Sequence, residues 1–148
     1  MKELIEPMII SAIRKLLTGR VNELLGEMEH SVPLIEFTEF TGGDVVVPVI
    51  NLATCERTEK ERIIRLDTYS LTITFSLPEM PESELHCYAF SGAVGRAFYD
   101  DPTLGGVADR AVVTGKKYIE PTLPNCGEGW KLIVTLRITV EGIGPDHL

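Results

Sequence analysis

The sequence predicts an α+β domain: a mostly antiparallel sheet with two helices packed on one face and a long β-hairpin arm. Three observations lead there. Tyr69–Leu77 and Trp130–Val140 alternate apolar and polar residues with a period of two, the mark of strands with one buried face. Residues 3–17 and 85–98 instead repeat apolar side chains at offsets of three and four, as amphipathic helices do. The order is helix, two or three strands, helix, two strands, with no βαβα alternation, so a doubly wound parallel sheet is not expected.

The chain has 148 residues, of which 44% are hydrophobic and 24% charged, an ordinary globular composition for a single domain over 1–148. No repeat, low-complexity tract or linker divides it. The formal net charge of −8 argues against nonspecific nucleic-acid binding and against an anionic membrane surface, since both need cationic patches. No apolar run approaches the roughly 20 residues that span a bilayer. Met1-Lys2-Glu3-Leu4 has mixed charge and no small-residue cleavage site, so no signal peptide is expected. Cys55, Cys87 and Cys126 are odd in number, widely spaced and without a CxxC pair, which fits a reducing cytoplasm better than a disulfide framework or a zinc site.

Leu4, Ile5, Met8, Ile9, Ala12, Ile13, Leu16 and Leu17 define the first helix. Pro7 is acceptable in a first turn, which puts the start near Glu6, and Gly19 ends or interrupts the helix. Val21, Leu24 and Leu25 suggest a second helical piece closed by Gly26. Pro33 to Phe40 is a short candidate strand, and Thr41-Gly42-Gly43-Asp44 a turn. Val45 to Thr54 reads as a strand that Pro48 confines to an edge or a bulge.

Cys55 to Arg65 alternates in sign and reads as a charged hairpin tip. Ile63 to Leu77 is a long strand in which Ile64 and Leu66 are out of phase, so a bulge or twist is expected near Asp67. At roughly 3.3 Å per residue it reaches about 50 Å, enough for the hairpin to project beyond a core.

Ser83 is a candidate cap for the next helix, whose face runs through Leu85, Ala89, Ala93, Val94, Ala97 and Phe98. Within it, Cys87 is expected to be buried and the adjacent His86 to lie on the surface. Asp100-Asp101-Pro102 stops the helix and Thr103-Leu104-Gly105-Gly106 turns the chain. Val107 to Val113 and Lys117 to Ile119 form one strand with a break at Thr114-Gly115. After a Pro- and Gly-containing loop, the last strand runs from Trp130 to Glu141, and residues 142–148 are expected to fray.

Enzyme signatures fail on inspection. Around Gly115-Lys116 the P-loop positions hold Arg110 and Lys117, and Ser91-Gly92-Ala93-Val94-Gly95 sits inside a helix rather than after a strand. The pairs Asp100/Asp101 and Glu59/Glu61 have no sequence context that would separate their pKa values. No catalytic residue, cofactor-binding residue or metal ligand is assigned, and no enzymatic activity is expected.

Several segments together resemble a known family. Cys55-Glu56-Arg57-Thr58-Glu59-Lys60 leads into the long strand with Asp67-Thr68-Tyr69. The Tyr88–Phe98 helix, Asp101-Pro102-Thr103-Leu104-Gly105-Gly106, Lys117-Tyr118 and Leu136-Arg137-Ile138-Thr139-Val140-Glu141 follow. Over residues 30–141 the chain resembles the tail terminators, or U-like minor tail proteins, of tailed bacteriophages and prophages. The resemblance implies a small subunit, without enzymatic activity or cofactor, that forms a homohexameric ring. The ring would cap the tail tube, end its polymerisation and offer a surface to the head completion or connector protein. Its place would be the head-proximal end of the virion tail, after assembly in the host bacterial cytoplasm. DNA would pass through without tight binding, and no membrane would be involved.

Within that reading, Arg57, Glu59, Lys60, Glu61 and Arg62 are candidates for the contact with the tube or another partner, since mixed charge sets register. Asp101, Thr103, Leu104, Gly105, Gly106 and Arg110 are candidates for the subunit contact, with simple turn geometry the competing explanation for the glycines. Two alternatives remain at this point: a head–tail joining or tail completion protein, and a small cytoplasmic enzyme or ligand-binding domain with a pocket between helix and sheet.

Overall fold

The computed structural model describes residues 4–28, 31–38, 45–60, 64–123 and 127–143. Its elements are α1 (Ile5–Leu16), a π-helical stretch (Leu17–Val21), α2 (Asn22–Gly26), β1 (Leu34–Ile35), β2 (Val45–Val46), β3 (Val49–Glu59), β4 (Ile64–Pro78), α3 (Ser83–Asp100), β5 (Arg110–Ile119) and β6 (Glu128–Ile143). The four long strands form an antiparallel sheet in the order β3-β4-β6-β5, while β1 and β2 make a separate parallel pair. The fold is therefore α+β with a mostly antiparallel sheet.

Period-two alternation sets the two faces of that sheet. Tyr69, Leu71, Ile73, Phe75 and Leu77 of β4 and Leu132, Val134, Leu136, Ile138 and Val140 of β6 are all buried against the helices. Of the bulge or twist expected near Asp67, the bulge is absent: β4 and β6 stay in register from Ile64↔Ile143 to Ser76↔Lys131. Asp67 itself takes the inward position, 2% exposed, and Leu66 turns outward opposite Glu141. Paired to Arg57, a carboxylate fits where the apolar pattern left no residue, so no bulge is required. The register shifts fall elsewhere, at Leu52/Thr54 in β3, Val113/Gly115 in β5 and Ser76/Pro78 in β4. The shift in β5 lies where a break was expected, and the strand runs through it.

Strand β6 accompanies β4 to its first residue, so the end that carries the β3–β4 turn is three strands wide. Gly142 and Ile143 belong to β6, two residues further than the expected fraying allows, and 144–148 lie outside the described residues. Pro48 divides the predicted Val45–Thr54 strand into β2 and β3, because it has no N–H to continue a ladder. Of the candidate strand Pro33 to Phe40, only Leu34–Ile35 is extended and paired, and residues 39–44 lie outside the described set.

The N-terminal helix starts at Ile5 with Pro7 in its first turn. Gly19 does not end it; the chain passes through the π-helical stretch directly into α2. The Asn22 side chain then pins β1, donating to the Ile35 carbonyl at 2.8 Å and accepting the Ile35 N–H at 2.7 Å.

Helix α3 buries Ser83, His86, Cys87, Phe90, Ser91, Ala93, Val94, Ala97 and Phe98, an arc of three- and four-residue steps that begins at Ser83 and includes the expected Ala93, Val94, Ala97 and Phe98. Leu85 is exposed instead, and His86 is buried rather than on the surface, with Nδ1 lacking a hydrogen-bond partner among the described residues. The cause is that α3 touches both the sheet and the N-terminal helical segment, which widens its buried arc. Ser83 does not cap the helix; Glu82 is the cap residue, and Ser83 Oγ accepts the Trp130 N–H at 2.8 Å. Gly129 permits that approach, because a Cβ there would collide with Ser83 Oγ and with the carbonyls of Leu77 and Pro78. Phe75 and Phe90 meet edge to face at 5.5 Å, joining sheet to helix at the middle of the core.

Candidate assembly surfaces

At the hairpin end, two of the predicted partner-facing charges are engaged within the chain. Arg57 stands opposite Asp67 in register and grips it with two hydrogen bonds, Nε–Oδ1 at 2.7 Å and Nη2–Oδ2 at 3.2 Å. That hydrogen bond raises the guanidinium pKa, and Asp67 needs the pairing because it is buried. Lys60 Nζ lies 2.7 Å from Glu141 Oε1, which ties the β3 end to β6. Glu59 stands opposite Arg65 on the inward side of the hairpin, and Glu61 and Arg62 lie outside the described residues. The Cys55 thiol is exposed, yet burial and the nearby Asp67 carboxylate hold its pKa above the usual value, which makes it a poor nucleophile. Burial likewise raises the phenol of Tyr69, whose hydroxyl donates to Glu6 at 3.4 Å.

The Asp101–Gly106 turn is held by its own hydrogen bonds. Asp101 Oδ1 accepts the Gly105 N–H at 3.0 Å, and the Thr103 carbonyl accepts the N–H groups of Gly106 at 3.1 Å and Ala108 at 3.0 Å. Leu104 has φ +52°, the one non-glycine residue with positive φ among the described residues, and its side chain is buried. The left-handed backbone here folds a leucine into the core, and it makes Leu104 part of the packing. Thr103, Gly105 and Gly106 remain exposed, and Arg110 opens β5 opposite Thr139 on the other side of the sheet. Between this turn and α1 lies an open groove of about 730 Å³, walled by Leu4, Pro7, Met8, Leu104 and Val107.

Two further surfaces take shape in the assembled sheet. The outward face carries Thr68, Ser70, Thr72, Thr74 and Ser76 of β4 beside Lys131, Thr135, Arg137 and Thr139 of β6. None of these side chains is buried, so no described element covers the face. Arg110, Lys117, Lys131 and Arg137 all lie on it, and none has an ion-pair partner among the described residues.

At the end where β4 and β5 finish and α3 and β6 begin, the exposed carboxylates are Glu79, Glu82, Glu84, Glu120 and Glu128. Among them sits an aromatic cluster: the Tyr88 ring is 5.8 Å from Tyr118 and 6.2 Å from Trp130. Tyr88 is 48% and Tyr118 43% exposed, a large apolar area to leave in water. The Tyr88 hydroxyl donates to Glu84 at 2.8 Å, which raises the phenol pKa, and Tyr118 shares a 2.7 Å hydrogen bond with Ser91. Sequence reading missed this cluster because its rings come from α3, β5 and β6. The alternation placed Trp130 on the inward face of β6, but nothing local placed Tyr88 beside it.

Among the described residues no group of three or more His, Cys, Asp or Glu side chains is arranged to hold a metal ion, and no helix is long and apolar enough to cross a membrane. Comparison with known proteins finds no family model that matches the chain and no curated protein that matches its sequence.

Proposed function

We propose that the chain is a structural subunit of a phage or prophage tail, a terminator that forms a homohexameric ring on the head-proximal end of the tube. The ring ends tube polymerisation and presents a surface to the head completion or connector protein, and it acts without catalysis or a cofactor. The observation that supports this reading best is the four-stranded sheet whose described helices all pack on one face, since the other face, uncovered among the described residues, offers a broad contact area. The resemblance of residues 30–141 to tail terminators supplies the identity of the assembly. The mixed-charge hairpin end is the candidate tube contact; Arg57, Glu59 and Lys60 are exposed there, with Arg57 and Lys60 also paired within the chain.

A net charge of −8 suits a ring through which DNA slides, because phosphates are repelled rather than held. Mass measurement of the purified full chain, alone and with tail tubes, tests the proposal. A sixfold species, or tubes capped at uniform length, is the expected result. A chain that stays monomeric and ignores tube ends overturns it.

A second reading, a small ligand-binding domain, draws on the open groove between α1 and the Asp101–Gly106 turn. Saturable binding of an apolar fluorescent probe that Met8→Glu abolishes would favour it.

A further inference from the structure

We infer that the outward face of the sheet in one copy receives the acidic, aromatic-rich end of a second copy, so that subunits join head to tail. The inference rests on the assembly reading above and names the surfaces involved.

Charge complementarity carries the argument. The chain has 22 carboxylates against 14 Lys and Arg. Even so, four of the cations stand on one sheet face without an ion-pair partner among the described residues. On β6, Lys131 and Arg137 are six residues apart, about 20 Å at the rise of an extended strand. Lys117 lies opposite Ile133 between them on the neighbouring strand. Beside the cations are hydroxyls of Thr and Ser, which donate and accept hydrogen bonds and so tolerate a polar partner; Ile119 and Ile133 lie between Lys117 and Lys131, and the face's own carboxylates, Glu56 and Glu141, stand toward the β3–β4 turn.

The second surface has the opposite character. Glu120 and Glu128 have no ion-pair partner among the described residues, and they flank the exposed rings of Tyr88 and Tyr118. Tyrosine at the centre with charge at the margin is the anatomy of a protein contact, and arginine stacks well on such rings.

Area agrees with a stable contact. Four strands about 4.8 Å apart, over the eleven residues from Lys131 to Glu141, cover about 650 Å² in projection before side-chain relief is counted. A standard interface takes about 800 Å² from each partner. Because the two surfaces differ, the contact is heterologous, and repetition generates a closed ring or an open filament rather than a two-fold dimer.

The test is sedimentation or mass photometry of the full chain over a range of concentration, with circular dichroism to check folding. Wild type is expected to assemble, and to do so less well as salt rises. Reversing the face with Lys131→Glu and Arg137→Glu should weaken assembly at least tenfold, as should reversing the other surface with Glu120→Lys and Glu128→Lys. The chain carrying all four changes should regain assembly, since the charges again complement each other. If a reversed chain fails to fold, the neutral pair Lys131→Gln and Arg137→Gln gives the same reading with a smaller loss. Assembly that ignores both reversals, or is not restored by their combination, overturns this contact and leaves the ring standing. A wild type that remains monomeric overturns both. Binding of a short heparin chain by that monomer would assign the cationic face to a polyanion instead.

Discussion

The two faces of the sheet share their strands and differ in everything else. Along β4 the inward residues Leu71, Ile73 and Phe75 are fully buried, while their neighbours Ser70, Thr72 and Thr74 keep partial contact with water. The inward face is insulated by α1, α2 and α3 and supplies the hydrophobic free energy of the fold. The outward face costs little to leave wet because its hydroxyls bond to water, so its residues can change without loss of structure. One face thus specifies the fold, and the other takes little part in it.

Mutations can break or sharpen that contrast. The largest effect is expected from Phe75→Ala, which removes the ring that meets Phe90 and leaves a cavity in the core. A loss of about 3–5 kcal/mol in urea unfolding is expected. Gly129→Ala should come next, about 1–3 kcal/mol, because the new Cβ must displace Ser83 and the strand carbonyls around it. Refolded Ser83→Gly/Gly129→Ala should recover part of that loss, which separates the side-chain clash from the backbone one.

Arg57→Gln should lower the melting temperature more than Lys60→Gln. Asp67 is buried and loses its partner in the first case, whereas Glu141 is hydrated in the second. Equal effects would mean that Asp67 is not sheltered as the inward face requires.

A pH series sharpens the same contrast. Burial pushes the Cys87 thiol up to about 11 from 9.0. The folded chain therefore holds that proton more tightly than the unfolded one. The associated stability is complete below pH 9 and declines as pH rises through about 11. Cys87→Ala should show a shallower alkaline decline in denaturant midpoint than the parent. The smallest effect is expected from Thr72→Val with Thr135→Val, a cross-strand pair on the outward face. Unfolding should shift by less than about 0.5 kcal/mol, and any change should appear in self-association instead.

How much of this was legible in the sequence varies by element. Strands β4 and β6 were, because two-residue alternation over nine and eleven positions has few competing explanations. Position 67 was misread as the site of a possible bulge, since local pattern cannot show that an aspartate will find Arg57 across the hairpin. Helix α3 was found, with Ala93, Val94, Ala97 and Phe98 buried as expected, but its buried arc is wider and takes in Ser83 and His86, because the helix packs on the N-terminal helical segment as well as on the sheet. Among the candidate contact residues, Arg57 of the tube set and Leu104 of the subunit set are held by the fold itself, the one by a buried carboxylate and the other by a left-handed turn. The cationic face was visible only as alternate residues of β6; that Lys117 and Arg110 join it follows from strand order, which no local signal specifies.

What the sequence alone determined is which residues form strands and helices and which side of each strand is apolar, because periodicity is a property of neighbours along the chain. Tertiary structure alone decided the strand order, the pairing of Arg57 with Asp67, and the meeting of Tyr88 with Tyr118 and Trp130. Those contacts join residues up to tens of positions apart, and their free energy exists only once the sheet has closed.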